Sequence, residues 1–419
     1  MRLGEIGMPL KVLYISTRWP WPVEMGRQRM IAQTLEFAAG LGEVNLLAFG
    51  DAPQKPAPDH IHSSAMLSMS GLPSIVRSLI FRPLVPLQSH LFLNGKAIRE
   101  VMSVVERIRP DVVIFDMARL SPLADAIHRR HPGIRLVLDM DDRLSKRYQR
   151  MLSNGSAGEL GGTFEARLPR LVRFLVPKLK TLLLSLERRL MVRCEKRVAE
   201  KFDAILMVSA LEAEEMRADC AGKADVIAFP PLINELPVPH QDFSTSVRFV
   251  FIGNAAYAPN AEALELLDRA AVKVNQAAGR KMAAFRFLAA GKPLADAAYQ
   301  VVEAVGFVPD LSAFLSGDAV LVAPILQGTG IKTKIIDALE HSVPVITTPV
   351  GAEGLGLTEG EHYICVQGEV DLAGACLDLI QSSEARNRLA AMAAAAREKG
   401  LTTQNHTLLH ARLASAFGL

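Results

Sequence analysis

Short apolar runs recur along the chain, parted by longer stretches in which apolar positions follow a helical period. VLYIS (12–16) comes first. After a loop, TRWPWPVEMG, the stretch RQRMIAQTLEFAAGL places Met30, Ile31, Thr34, Leu35, Ala38 and Leu41 on one face, which predicts a helix. VNLLAF (44–49) is the next strand. A strand, a helix and a strand in that order imply a crossover and parallel pairing. The alternation continues through DVVIF (111–115), IRLVLD (134–139), AILMVS (204–209) and ADVIAF (224–229). Each run is short and unalternated, as parallel strands buried on both faces are.

The pattern then breaks. Residues 230–246, PPLINELPVPHQDFSTS, are rich in proline and polar side chains and have no period, which reads as a linker. RFVFIG (248–253) opens a second series with FRFLAAG, DAVLVAP and VPVITTP as further strands. The expectation is an α/β chain of two doubly wound parallel-sheet, Rossmann-like domains facing an interdomain cleft, with ligands outside the carboxyl ends of the strands. The boundaries follow as 1–235 for the first domain, with a basic and apolar insertion near 150–197, 236–247 for the linker and 248–400 for the second domain. Residues 401–419 form a terminal helix returning to the first.

At 419 residues the chain is long enough for two or three cores. Four cysteines, none in a CxxC and none with zinc spacing beside histidine, argue against a disulfide framework or a structural metal and for a reducing cytoplasm. MRLGEIGMPLKVLYIS lacks the apolar core of a signal peptide, and no stretch has the length of a spanning helix. The net charge of +3 hides an asymmetry. Residues 168–197 hold nine basic side chains against Glu187 and Glu195, so that segment is about +7 and the remainder about −4.

The chemistry concentrates in APILQGTGIKTKIIDALEHSVPVITTPVGAEGL (323–355). Gly328 and Gly330 permit positive φ after a buried strand. A helix is expected to start near Thr329–Ile331, and its unpaired amides and dipole suit an anion. Lys332 and Lys334 add two mobile charges. The pattern is neither a Walker A loop nor a dinucleotide fingerprint, and its plainer reading is a connecting turn with solvated lysines. The order P-x-x-x-G-T-G-I-K-x-K, then an acid before Ala338-Leu339, then P-V-I-x-T and G-A-E-G-L, resembles the nucleotide-sugar-binding half of family 4 retaining glycosyltransferases with the GT-B fold. FIGNAAYAPNAEAL, VGFVPDLSAFLSGDAVLVAP and, at the front, PWPVEMGRQR resemble further blocks of that family in the same order.

The resemblance implies transfer of a sugar from a nucleotide-diphosphate donor without a tightly bound metal or other cofactor. It implies that Lys332, Lys334, Gly328 and the amides of Thr329, Gly330 and Ile331 hold the diphosphate, since a leaving diphosphate needs positive charge as it departs. Asp337 would stand where the family keeps a ribose-binding glutamate. Val308, Asp310 and Leu311 would lie by the base, and Gly253, Asn254 and Gly291 would line the floor. The chain departs from the family where an earlier acid is usual, since eight residues before Asp337 stands Thr329.

On the acceptor side, LDMDDRLSKRYQR places Asp139, Asp141 and Asp142 at the carboxyl end of a strand. Asp141 or Asp142 is a candidate to orient the acceptor hydroxyl or stabilise an oxocarbenium-like transition state. An N-cap is the plainer role, for Asp139 above all. Arg18, Gly26 and Arg29 resemble the family's N-terminal cluster and would approach donor phosphate or acceptor. Trp19 and Trp21 offer a sugar or lipid platform, or packing on Pro20 and Pro22.

The segment 168–197, interrupted by Pro169 and Pro177, reads as an interfacial element for an anionic membrane, and residues 71–93 share its flavour. Nucleic acid is not an expected partner, because aromatic interleaving is thin. The expectation is a cytoplasmic glycosyltransferase, peripheral on the inner membrane face, acting on a glycan or lipid-linked acceptor. A catalytically degenerate subunit that binds nucleotide sugar, and an epimerase of the same fold, stay open as alternatives.

Overall fold

Parallel strands form two separate sheets, each inside its own compact unit. The computed structural model describes residues 9–51, 53, 55–153, 170–277, 284–291, 299–328 and 330–419, with the side chains of 170–180 excepted. One unit is made of residues 1–230 and Leu409–Leu419, the other of Pro231–Leu408.

The first sheet has seven parallel strands: β1 (Leu10–Ser16), β2 (Gly42–Phe49), β3 (Ser63–Leu67), β4 (Val112–Asp116), β5 (Arg135–Asp141), β6 (Ala204–Met207) and β7 (Asp225–Ala228). Their order is β3-β2-β1-β4-β5-β6-β7, so the winding reverses between β1 and β4. The helices are α1 (Gly26–Ala39), α2 (Leu72–Phe81), α3 (Gly95–Ile108), α4 (Ser121–Arg130), α5 (Leu144–Ser153), α6 (Arg170–Val198) and α7 (Ala210–Cys220). The apolar face read from the sequence for α1 is buried at Met30, Ile31, Thr34, Leu35 and Ala38. Strands β1 and β4 are buried on both faces along Val12–Ile15 and Val112–Phe115, which is why those runs are unalternated.

The second sheet has six strands: β8 (Ser246–Ile252), β9 (Ala284–Ala290), β10 (Glu303–Gly306), β11 (Ala319–Ala323), β12 (Val345–Thr347) and β13 (Ile364–Cys365), in the order β10-β9-β8-β11-β12-β13. Here the winding reverses between β8 and β11. Helices α8 (Ala258–Ala277), α9 (Leu311–Leu315) and α10 (Thr333–Glu340) lie on its faces, and the core gathers Phe249, Val320, Ile335 and Ile346.

Two expectations need correction. The helix expected near Thr329–Ile331 begins at Thr333, with Lys332 as its N-cap. Positive φ at Gly328 (130°) and Gly330 (71°) keeps the chain out of helical geometry until the glycines are passed. Pro177 does not interrupt the basic segment, because α6 runs unbroken from Arg170 to Val198. A proline removes one N–H and crowds one carbonyl, a local cost that packing further along the helix offsets. That packing comes from Leu184 and Met191, which meet Leu144 and Tyr148 of α5. Residues 154–169 of the proposed insertion, Pro169 included, lie outside the described residues.

Candidate functional site

In the first unit the carboxyl ends of β4 and β5, beside the end of β1, bring three carboxylates onto one guanidinium. Arg27, the second residue of α1, pairs with Asp116 at 2.6 Å, Asp139 at 3.1 Å and Asp141 at 3.3 Å. It also donates to the Asp139 carbonyl at 3.0 Å. A cation at a helix N-terminus opposes the dipole, so the carboxylates must hold it there. Asp116 accepts the Thr17 N–H at 2.8 Å as well as the Thr17 hydroxyl, and Tyr14 donates to Asp139 at 2.7 Å.

These environments split the three acids. Burial pushes Asp116 up, but the Arg27 and Arg18 guanidiniums outweigh it and hold the carboxyl below its ordinary value. Burial prevails over Arg27 at Asp139, which is raised. Asp141 is raised to about 6, by burial first and then by the neighbouring Asp142 carboxylate, with Arg27 opposing. Asp141 also has a left-handed φ of 68° and sits at a register shift between β5 and β6. Strain of this kind persists where surrounding contacts fix it and gathers at functional sites.

Asp142 stands differently. It is buried, and the Arg147 guanidinium grips it at 2.6 Å. Of the two candidate catalytic acids, Asp141 keeps more access to solvent, with 18% of its side chain exposed against 2% for Asp142. Asp139 is a strand residue bonded to Tyr14 and Arg27, not a helix cap. Gly26 opens α1, and Arg29 lies half-buried on the same turn. Arg18 is near Asp116 and Asp141, and burial lowers its guanidinium from its usual value. The tryptophans pack on each other edge to face at 5.6 Å, and Trp19 donates to the Lys55 carbonyl at 2.9 Å.

In the second unit the reversal point carries a glycine floor with a lysine set into it. Gly253 follows β8 and Gly291 follows β9. A Cβ on Gly291 would lie 1.8 Å from the Gly253 carbonyl oxygen, and its φ of 147° is one that side-chain-bearing residues rarely adopt. A Cβ on Gly253 would lie 3.0 Å from the Lys334 Nζ. The ammonium donates to Asn260 Oδ1 at 2.7 Å and sits 3.9 Å from the centre of the Phe251 ring. Asn260 in turn donates to the Asn254 carbonyl at 2.9 Å.

Lys334 is therefore buried, where a mobile surface charge was expected. Burial lowers it to about 7, with Asp337 opposing. Lys332 donates to the Gly330 carbonyl at 2.6 Å. The space around both turn glycines is open, so φ and not crowding requires glycine at each. The amides leading into α10 belong to Thr333 and Lys334 instead of Ile331, and Thr329 lies outside the described residues. Asp310 caps α9 through the Ala313 N–H at 2.9 Å, with Val308 and Leu311 flanking it in the chain. Arg27, Asp116 and Asn260 were not singled out from the sequence. The available signals were an arginine directly after a helix-opening glycine, and acids or amides at the edges of apolar runs.

Residues 26–231 match the family described as glycosyl transferase 4-like domain, and residues 246–382 match glycosyl transferases group 1. The chain belongs to the group 1 glycosyltransferases. In three dimensions this glycosyltransferase is similar to sucrose-phosphate synthase from Thermosynechococcus elongatus (TM-score 0.66, 12% identity, 97% of this chain and 98% of that one). It is also similar to HepE from Anabaena, solved in complex with UDP (TM-score 0.61, 12% identity, 98% and 100%). At these identities the likeness shows the shared GT-B fold. An uncharacterized 44.6 kDa protein in the cps region of Klebsiella pneumoniae is 34% identical over 61 residues, 15% of this glycosyltransferase and 16% of that protein's length. Among the described residues, no helix is long and apolar enough to cross a membrane, and no cluster of His, Cys, Asp or Glu is placed to hold a metal ion.

Proposed function

We propose that the protein transfers a sugar from a nucleotide-diphosphate donor to a glycan or lipid-linked acceptor, with retention of configuration and without a metal ion. The observation that carries this reading is Lys334, an ammonium buried beneath a glycine floor at the carboxyl edge of the second sheet. A cation held there without a full counter-charge is suited to meet an anion that arrives and departs. Lys332 and the amides of Thr333 and Lys334 would complete the diphosphate seat, and Asp337 would take the ribose. That HepE crystallises with UDP and with UDP-glucose supports a nucleotide sugar as donor. Asp141, raised to about 6 and partly open to solvent, is the acid proposed to orient the acceptor hydroxyl. The place of action would be the inner face of the cytoplasmic membrane, met through the basic segment 168–197, with an exported or lipid-linked polysaccharide as product.

Thermal shift with UDP, UMP and a panel of nucleotide-diphosphate sugars tests the donor site. UDP is expected to stabilise the protein at about 100 times its Kd by roughly 2.7 kcal/mol, UMP to do so far less, and Lys334→Ala to remove the difference together with donor hydrolysis. Equal stabilisation by UDP and UMP would exclude a diphosphate seat. The substitution of threonine at 329 for the usual acid favours one second reading, a subunit that binds nucleotide sugar without turnover. UDP stabilisation with no donor hydrolysis at any acceptor would select it.

A further inference from the structure

We propose that a basic groove on the helical side of the first unit, with the apolar stripe beside it, docks the protein on an anionic phospholipid surface. The groove has a volume of about 910 Å³ and is walled by the end of α2 and the loop after it, by α3 and α4, and by the C-terminal part of α6. Seven basic side chains line it against two carboxylates. Lys201 is matched by Asp125 at 2.6 Å, and Arg130 lies 3.9 Å from Glu106. The other five, Arg82, Arg99, Arg129, Arg193 and Arg197, make no ion pair among the described residues. Arg193 and Arg197 are one helical turn apart, so they share a face of α6. Guanidiniums left unmatched around one cavity repel each other, and phosphate, which arginine takes in a two-pronged grip, relieves that repulsion.

The apolar half of the surface is contiguous with the basic half. Leu72, Val76 and Ile80 recur every fourth residue along α2 and are all exposed. Ile80 is 68% exposed and Phe81 74%, and Phe81 is also a wall of the groove. Leu84 continues the stripe, and on α6 Leu182 and Leu186 are exposed one turn apart. The buried Glu187 carboxylate accepts the Leu87 N–H at 2.5 Å, which ties α6 to the segment that follows α2. Apolar side chains standing beside cations that reach a phosphate plane are what an interfacial element needs. A soluble polyanion such as nucleic acid would use the arginines and leave the stripe in water, so the combination favours a membrane. This rests on the membrane reading given above and sharpens it, moving the contact from residues 168–197 as a whole to the groove and the face of α2.

Vesicle co-sedimentation of the full chain tests it, with phosphatidylcholine alone and with phosphatidylcholine containing about one-third phosphatidylglycerol. The protein is expected on the anionic vesicles only. Each cation near the surface contributes about fivefold to partitioning, so the triple variant Arg129→Gln, Arg193→Gln, Arg197→Gln should bind roughly 100-fold more weakly. Ile80→Ser with Phe81→Ser, at exposed positions, should weaken it by about tenfold with an unchanged melting temperature. UDP binding should be the same in all variants. If the groove variants bind as the parent does, and Arg173→Gln with Lys178→Gln and Lys180→Gln releases the protein, the groove is wrong and the broader membrane reading survives. No binding by the parent protein, equal binding to both vesicles, or tight binding of duplex DNA in place of vesicles would overturn both.

Discussion

The ammonium of Lys334 sits close to its own titration point. Burial lowers it to about 7 from an ordinary 10.5, and the Phe251 ring and the Asn260 side-chain oxygen Oδ1 are soft compensation for lost water. The sign of the linkage follows. The unfolded chain binds one more proton than the folded one between about pH 7 and 10.5, so the ligand-free protein gains stability as pH rises through that window. A diphosphate bound there, as proposed, would reverse the preference and recharge the lysine. Titration calorimetry of UDP in two buffers of different ionisation enthalpy should therefore show uptake approaching one proton at pH 8.5, and none in Lys334→Arg, whose side chain stays charged. Absence of uptake in the parent protein would mean that the lysine does not meet the diphosphate. Arg27 is the opposite case. Burial opposes its charge, but Asp139, Asp116 and Asp141 outweigh burial there, while burial prevails at Asp139 and Asp141 themselves, and groups shifted in opposite directions at one point are what functional sites show.

At the scale of elements, both sheets place their candidate site groups near the point where the winding reverses, because there the loops after adjacent strands diverge and leave room. What occupies that room is settled by small backbone facts. Gly291 is pressed against the Gly253 carbonyl, and Gly253 against Lys334 and Asn260. Gly291→Ala should lower stability by more than about 2 kcal/mol in urea denaturation, since φ and contact both oppose a Cβ. Tolerance of alanine there would show that the floor is looser than its geometry implies. The same scale explains which strands escaped the sequence reading. β3, β10 and β13 are all edge strands, short and mostly exposed or half-exposed. An edge strand in a parallel sheet need not be apolar throughout, so it leaves no run to find.

At the scale of the whole molecule, the chain ends by rejoining its first unit. The helix His406–Phe417 buries Leu409, Leu413 and Phe417, Arg412 donates to the Ala228 carbonyl at 3.1 Å, and Arg135 donates to the Ala416 carbonyl at 2.7 Å. Leu413→Ala should cost about 2–4 kcal/mol and lower the melting temperature of the first unit by roughly 5–15 °C in calorimetry, with UDP binding unaltered. An unchanged melting profile would mean that this packing is incidental. By itself the sequence determined the two series of buried parallel strands, the break near residue 230 and the glycine–lysine turn, because burial on both faces, backbone permissiveness and charge are local properties written in residue type. It did not determine where α10 begins, that Lys334 is buried, that Arg27 gathers the carboxylates, or that Pro177 lies inside an unbroken helix. Those outcomes depend on residues distant in the chain, Asp116 and Asp139 for Arg27, Asn260 and Phe251 for Lys334, and only tertiary packing brings such partners within reach.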